Sequence, residues 1–144
     1  MAVSGDKEFE IKADPATVMA AIAAVERLPE WSGPHRSVEV LTTHDDGRPN
    51  RVRMSVSILG INDDQVVDYT FTGDDTVSWT LVESNQQSSQ DGSYVLTPSD
   101  SGTKVKFTLT VDPKVPLPGF LVKKAQKSAL ETASKGLTKF VESL

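Results

Sequence analysis

The sequence predicts an α+β fold in which a seven-stranded antiparallel sheet packs against a long C-terminal helix, with two short helices after the first strand. Three observations support this prediction. Seven short runs have the alternation or the β-branched residues typical of strands. The links between the last six runs are short, which favours antiparallel neighbours, because a parallel pair needs a connection of about a dozen residues. The C-terminal part has the periodicity of one amphipathic helix.

The composition is that of an ordinary globular protein. The 144 residues, 38% hydrophobic and 24% charged, are suited to one domain spanning residues 1–144. Cysteine is absent, which excludes a disulfide framework and a thiol nucleophile. The N-terminus has no apolar signal segment and no run of 18 apolar residues occurs, so we expect a cytoplasmic location.

Charge is unevenly distributed along the chain. Residues 1–112 have a net charge of −9 and residues 113–144 a net charge of +4. So acidic a body is a poor candidate for nucleic-acid binding, which relies on a broad basic surface. The basic C-terminal part could make transient contact with an anionic membrane, although a solvated helix face is the favoured interpretation. The sequence leaves the oligomeric state open.

The first elements are a strand and two short helices. Residues 8–12 alternate strictly, as a half-buried strand does. Asp14-Pro15 then gives an N-cap and a proline at the first helical position, and helical spacing continues to about Glu26. Residues 28–34 break this helix, and we expect one more short turn there that presents Trp31.

Six further strands follow, with turn-forming residues between most of them. The predicted strands lie near 36–44, 50–60, 65–72, 76–83, 90–98 and 103–112. The separators are 45–49, 62–64, 73–75 and 99–102, rich in Asp, Asn, Ser, Gly and Pro. We therefore interpret the acidic pairs in these segments as turn formers rather than as catalytic dyads.

Alternation indicates which side chains share one face of the sheet. The predicted inward set is Val52, Met54, Val56, Ile58, Val67, Tyr69, Phe71, Val77, Trp79, Leu81, Tyr94, Leu96, Val105, Phe107, Leu109 and Val111. Their neighbours are polar, so one face should be solvated and the other covered. For Tyr69 and Tyr94 we expect core phenols whose hydroxyls are hydrogen-bonded at the edge of the core.

The cover is the predicted C-terminal helix, from about Phe120 to Ser143. At 100° per residue, one stripe of this helix contains Val122, Ala125, Ala129, Ala133, Gly136 and Phe140. The stripe is bulky at its ends and small in its middle. A small middle indicates either a close approach of the helix to the sheet or a cavity, and composition does not separate the two.

Five segments carry a resemblance to a known family. They are 14–18 (DPATV), 28–31 (LPEW), 77–81 (VSWTL), 91–94 (DGSY) and 116–121 (PLPGFL). Together with the order of elements, they resemble the START-related superfamily and, within it, the bacterial polyketide cyclase/dehydrase and lipid transport group. The resemblance covers essentially the whole chain. It implies the helix-grip fold, with a curved sheet and a deep pocket whose usual occupants in the superfamily are lipids, polyketides and other apolar molecules.

The predicted pocket lining combines the inward strand residues with the small stripe of the helix. The candidate ligand-binding residues are Trp31, Met54, Val56, Tyr69, Phe71, Trp79, Tyr94, Leu96, Phe107, Leu109, Leu117, Phe120, Leu121, Ala125, Ala129 and Ala133. Four of them, Trp31, Leu117, Phe120 and Leu121, should border the mouth of the pocket and be partly exposed.

Little in the sequence supports catalysis. His35 and His44 lack the spacing of a helical zinc pair, no serine has an assigned base, and no glycine-rich phosphate loop is present. We therefore predict no metal, no cofactor and no catalytic residue. The leading hypothesis is a non-enzymatic carrier or sensor of an apolar small molecule. The alternatives are a polyketide cyclase or dehydratase using His35 or Tyr94, and an interaction adaptor with a filled pocket.

Overall fold

The structure is a computed structural model that describes residues 2–144. The strands are β1 (Val3–Ile11), β2 (His35–Val40), β3 (Arg51–Ile58), β4 (Ile61–Thr72), β5 (Thr76–Ser84), β6 (Gln87–Ser99) and β7 (Gly102–Pro113). The helices are α1 (Pro15–Ala23), α2 (Leu28–Trp31), α3 (Gly119–Glu131) and α4 (Leu137–Glu142). A 3₁₀ turn, Val25–Arg27, lies between α1 and α2. The Asp14 side chain caps α1 by accepting a hydrogen bond from the Thr17 amide at 2.8 Å.

The seven strands form one curved antiparallel sheet in the order β1-β7-β6-β5-β4-β3-β2. Strands β2 to β7 pair in chain order, and β1 pairs with β7 at the edge. The predicted α+β class, strand number and antiparallel pairing are therefore confirmed. The inward and solvated faces also separate as alternation predicts. On the outer face, for example, Arg51 and Asp68 form an ion pair at 2.8 Å.

The hairpin between β3 and β4 turns earlier than the sequence indicated. Its two central residues, Leu59 and Gly60, have φ angles of 52° and 80°, as expected of a two-residue hairpin turn with both residues left-handed. The prediction of a turn at 62–64 was wrong, because those residues belong to β4. Asp63 is only 6% exposed, so it is a buried strand residue rather than a turn former.

An irregularity in β5 changes which side chains face inward near the end of that strand. Val66 and Val67 of β4 pair with Glu83 and Leu81, so Val82 is an extra residue in β5. Beyond this bulge the alternation is inverted. Ser84 is buried, whereas Glu83 is exposed on the outer face.

The C-terminal helix is continuous from α3 to α4 through a π-helical turn, Thr132–Gly136. We refer to the whole run, residues 119–142, as the C-terminal helix. Gly136 lies against the backbone carbonyl of Trp31, where a Cβ atom would overlap that oxygen. The π turn therefore occurs where the helix passes close to α2. The predicted long helix is confirmed within one residue at each end.

The apolar core is concentrated at the α1 and α4 end of the sheet. Ile11, Val18 and Leu137 are each 0% exposed, and Val141 is 3% exposed. The ring centroids of Trp31 and Phe140 are 6.3 Å apart, in a stacked arrangement. No helix within residues 2–144 is long and apolar enough to cross a membrane.

Candidate functional site

A cavity of about 240 Å³ lies between the concave face of the sheet and α3. The strands β3 to β7 supply its floor, α3 and the π turn form its roof, and residues 28–35 close one side. The adaptor alternative required a filled pocket, so the cavity argues against it. The small middle of the helix stripe therefore corresponds to a cavity rather than to a close approach of helix and sheet.

Most of the predicted ligand-binding residues line this cavity. They are Trp31, Met54, Val56, Tyr69, Trp79, Tyr94, Phe107, Leu109, Leu117, Leu121, Ala125, Ala129 and Ala133. Alternation placed the strand residues together, and helical periodicity placed the alanines opposite them. Whether they contact a ligand stays a prediction.

Three predicted residues do not line the cavity. Phe71 lies farther along β4, where its ring packs beneath the Arg48 guanidinium, 4.5 Å from the ring centroid. Leu96 is 3% exposed and belongs to the closed core. Phe120 is 75% exposed, because at the first turn of α3 its side chain is directed away from the sheet. These three placements correct the sequence-based list.

The mouth of the cavity lies at the end of the sheet where α3 begins. Leu117 is 36% exposed and lines the cavity, while Leu121 is partly buried there. Leu59, at the tip of the β3–β4 hairpin, also lines it and is 44% exposed. The mouth is therefore bordered by exposed apolar side chains. The prediction that Trp31 borders the mouth was wrong, because Trp31 packs against Gly136 and Phe140 in the second half of the C-terminal helix.

An aromatic cluster forms the floor of the cavity, with Trp79 at its centre. The Trp79 ring lies 5.7 Å from that of Tyr69, 5.6 Å from that of Tyr94 and 6.1 Å from that of Phe107. Its neighbour across the sheet is Gly92, where any Cβ atom would overlap the indole. The Trp-and-Gly pairing of these strands thus lets the indole lie flat on the sheet.

The two tyrosine hydroxyls of this cluster have no hydrogen-bond partner among residues 2–144. Tyr69 is 7% exposed and Tyr94 is 6% exposed. The side-chain polar atoms that are fully sealed and unpaired are Trp31 Nε1 and Ser99 Oγ, so the phenol oxygens retain surface that is open to the cavity. The expectation that these hydroxyls would be satisfied at the core edge was wrong, because both point inward from the middle of their strands. Burial raises the pKa of both phenols above the ordinary value.

A buried polar network closes the cavity near the mouth. The Asp63 carboxylate accepts hydrogen bonds from Ser84 Oγ at 2.6 Å, from Gln65 Nε2 at 2.9 Å and from the backbone amides of Asn85 and Gln86 at 2.8 and 3.2 Å. These four donors satisfy the carboxylate. Asp63 therefore braces the β5–β6 turn against β4 instead of offering a free charge to a ligand.

Sequence reasoning missed this network. One signal could have found half of it: Asp63 and Gln65 continue the inward alternation of Val67 and Tyr69 toward the start of β4. No comparable signal indicated Ser84, because its inward position depends on the bulge at Val82.

His35 lines the cavity beside Ser32, and the two side chains share a hydrogen bond of 2.6 Å between Nδ1 and Oγ. Burial lowers the pKa of His35 to about 4, so the imidazole is neutral at neutral pH. Within residues 2–144 no carboxylate bonds to its ring to orient it, so the pair lacks the third member of a nucleophilic triad. The same part of the chain contains no cluster of three potential metal-ligating side chains.

The comparisons with known proteins agree with this architecture. A family model described as polyketide cyclase/dehydrase and lipid transport matches residues 11–138. A START superfamily protein from Mycobacterium smegmatis is 25% identical, with a TM-score of 0.86 over 99% of this chain and 97% of that one. A protein from Thermus thermophilus is 24% identical, with a TM-score of 0.79 over 99% and 98%. The Zhui aromatase/cyclase from a Streptomyces species is similar in fold alone, at 12% identity and a TM-score of 0.79 over 99% and 94%. No curated protein matches the chain.

Proposed function

We propose that this chain, which belongs to the polyketide cyclase/dehydrase and lipid transport family, is a non-enzymatic carrier or sensor of an apolar small molecule. The observation that carries the proposal is the cavity of about 240 Å³, lined mainly by aliphatic and aromatic side chains. This volume is just below the roughly 300–1,000 Å³ of pockets for drug-sized ligands. A lipid-like or polyketide-like molecule of one or two rings would fill it.

The groups around the cavity favour binding over catalysis. General acid–base catalysis needs a group whose pKa lies near the working pH and which reaches the reacting atom. Burial moves the pKa of His35 down to about 4 and that of the two tyrosines upward, so at neutral pH all three stay uncharged. Asp63 is already fully hydrogen-bonded. The cavity thus offers shape and apolar area rather than a poised base.

The experiment that tests binding is a titration with an apolar fluorescent probe, for which we expect a dissociation constant in the micromolar range, about −8 kcal/mol. Ala129→Phe, which fills the cavity from α3, should weaken binding at least tenfold. Lys127→Ala, on the exposed side of the same helix, is the matched control and should leave affinity unchanged. Equal affinity in all three proteins would mean that the probe binds elsewhere. Native mass spectrometry of protein from its own cells would reveal a retained ligand.

A polyketide cyclase or dehydratase is the second candidate, favoured by one observation. The Tyr94 hydroxyl faces the cavity without a partner in residues 2–144 and could polarise a substrate carbonyl. We expect no turnover of aromatic polyketide precursors. Turnover that is lost in His35→Ala or Tyr94→Phe, with probe binding intact, would replace the carrier assignment with the cyclase.

Ligand exchange through the mouth suggests a transient membrane contact. Phe120, Val115 and Leu117 are 75%, 53% and 36% exposed, and the next turn of α3 adds Lys123 and Lys124. Exposed apolar side chains beside lysines favour anionic lipid surfaces, whereas the acidic body disfavours nucleic acid. We expect co-sedimentation with phosphatidylserine-containing vesicles that is weakened by salt and by Phe120→Ser. Val82→Ser, on the outer face of the sheet, should have no effect, and a lack of vesicle binding would contradict the contact.

A further inference from the structure

The floor of the cavity presents two hydroxyl groups on either side of one indole. Tyr69 on β4 and Tyr94 on β6 flank Trp79 on β5, with ring centroids 5.7 and 5.6 Å from the indole. Both tyrosines line the same cavity, so the two phenols face the same space. A ligand group that packs on the Trp79 indole would lie between the two hydroxyls.

These hydroxyls are unexplained by packing alone. Phenylalanine would make the same ring contacts, and the cluster already contains one at Phe107. A buried hydroxyl without a partner costs free energy that phenylalanine would avoid. Within residues 2–144 neither phenol oxygen forms a hydrogen bond, and both residues are less than a tenth exposed. We therefore expect a bound ligand to supply the hydrogen-bond acceptor for these hydroxyls.

The charges around the cavity limit what this partner can be. Because burial raises their pKa, both phenols stay protonated at neutral pH and can donate. No lysine or arginine of the described chain lines the cavity, and the one carboxylate that does is Asp63. A carboxylate or phosphate group on the ligand would thus be buried without a compensating cation, which is unfavourable. A neutral carbonyl oxygen, with two lone pairs, can accept from both hydroxyls at once.

We infer that the cavity selects apolar ligands with a neutral carbonyl oxygen, a ketone, aldehyde or ester, held between the hydroxyls of Tyr69 and Tyr94. This inference rests on the proposed binding function and narrows its ligand class. It excludes free fatty acids and other anions as preferred occupants. Trp79 supplies the apolar platform and the two phenols supply the selectivity.

The test uses three probes of nearly equal size: 2-acetylnaphthalene, 2-ethylnaphthalene and 2-naphthoate, titrated by calorimetry at neutral pH. We expect the ketone to bind about tenfold or more tightly than the hydrocarbon, and the anion to bind most weakly. Tyr69→Phe and Tyr94→Phe should each weaken ketone binding by about threefold to tenfold, as the loss of one hydrogen bond does. Hydrocarbon binding should not change. Thr70→Val removes an exposed hydroxyl beside Tyr69 and should affect neither probe.

The outcomes separate this inference from the proposed function. Equal affinity for ketone and hydrocarbon, or equal losses for both in the phenylalanine variants, would overturn the carbonyl contact while leaving apolar binding intact. Tightest binding of 2-naphthoate would overturn the preference for a neutral ligand. If neither neutral probe bound the unmodified protein, the binding function itself would be wrong. As an independent readout, the infrared carbonyl stretch of bound, ¹³C-labelled 2-acetylnaphthalene should move to lower frequency and return in the Tyr69→Phe/Tyr94→Phe protein.

Discussion

The two halves of the C-terminal helix have different relations to the same sheet. In α4, Leu137, Phe140 and Val141 are 0%, 8% and 3% exposed. In α3, which is more than twice as long, no residue is fully buried. One amphipathic stripe runs through both, but it is bulky in α4 and rich in alanine in α3. The helix is therefore anchored in the core at one end and roofs a cavity at the other.

The same helix thus stabilises the core with one half and encloses the cavity with the other. Below α4, the buried side chains of Leu137, Phe140 and Val141 belong to the apolar core. Below α3, Ala125 and Ala129 line the cavity and leave that space open. The π turn between the halves, with Gly136 against Trp31, fixes the place where the packing changes from one kind to the other. Truncating a side chain in α4 should therefore lower the free energy of unfolding much more than truncating one in α3.

The largest expected effect is the loss of a core contact in α4. Leu137→Ala removes a side chain that is 0% exposed and should lower the free energy of unfolding by about 2–5 kcal/mol, the usual cost of such a cavity. Urea unfolding followed by circular dichroism would measure it. Val122→Ala, in α3, is the matched comparison and should cost less than about 1 kcal/mol. Similar losses of unfolding free energy at both positions would contradict the claim that α4 packs in the core whereas α3 covers a cavity.

The junction should be nearly as sensitive. A Cβ at Gly136 would overlap the carbonyl oxygen of Trp31, so Gly136→Ala should force the helix and α2 apart. We expect a loss of about 1–3 kcal/mol in the free energy of unfolding, as for other overpacked sites. Gly119→Ala is the control, because a Cβ atom at that position would have no neighbour within 4 Å. A stabilised Gly136→Ala protein would show that the contact with Trp31 is looser than described.

A pH effect should come from the cavity side of the molecule. The pKa of His35 is lowered from 6.5 to about 4 by burial, so between these values the unfolded chain binds a proton that the folded protein does not. The contribution of neutral His35 to the free energy of unfolding is therefore fully present above pH 6.5 and is lost as the pH falls toward 4. We expect a loss of about 2 kcal/mol between pH 7 and pH 5. His35→Gln should flatten this part of the stability profile. An equal slope in His35→Gln would assign the loss to other groups.

The smallest stability effect is expected where side chains are added under the roof. Ala129→Leu and Ala133→Leu place methyl groups into the cavity instead of into a packed core, so each should change the free energy of unfolding by less than about 1 kcal/mol. Both should still reduce probe binding. Losses above about 3 kcal/mol, measured by the same urea titrations, would indicate a solid core beneath α3.

Alternation and helical periodicity predicted the fold and most of the cavity lining, because both depend on local spacing that the tertiary structure preserves. They placed Met54, Tyr69 and Phe107 on one face and Ala129 opposite them. The end of the cavity could not be predicted in this way. Phe71 is on the inward face of β4 but outside the cavity, where its ring packs against Arg48. Alternation predicts which face a side chain is on, but it does not predict where along the strand the cavity ends.

The polar part of the site was missed for a different reason. Aspartate and asparagine favour turns, so composition predicts a turn at the run that contains Asp63. In the structure the turn is formed by Leu59 and Gly60, which both have positive φ angles. Ser84 became an inward residue only through the bulge at Val82. Both errors come from register, which tertiary pairing fixes and local composition does not.

Hydrogen–deuterium exchange with and without a saturating naphthalene ligand tests the contrast between roof and anchor most directly. Without ligand, amides of α3 should exchange faster than those of α4, because buried contacts limit local opening in α4 alone. With ligand, exchange should slow in α3 and in the π turn and stay unchanged in α4. A ligand that binds without slowing α3, or that slows both halves equally, would contradict the account.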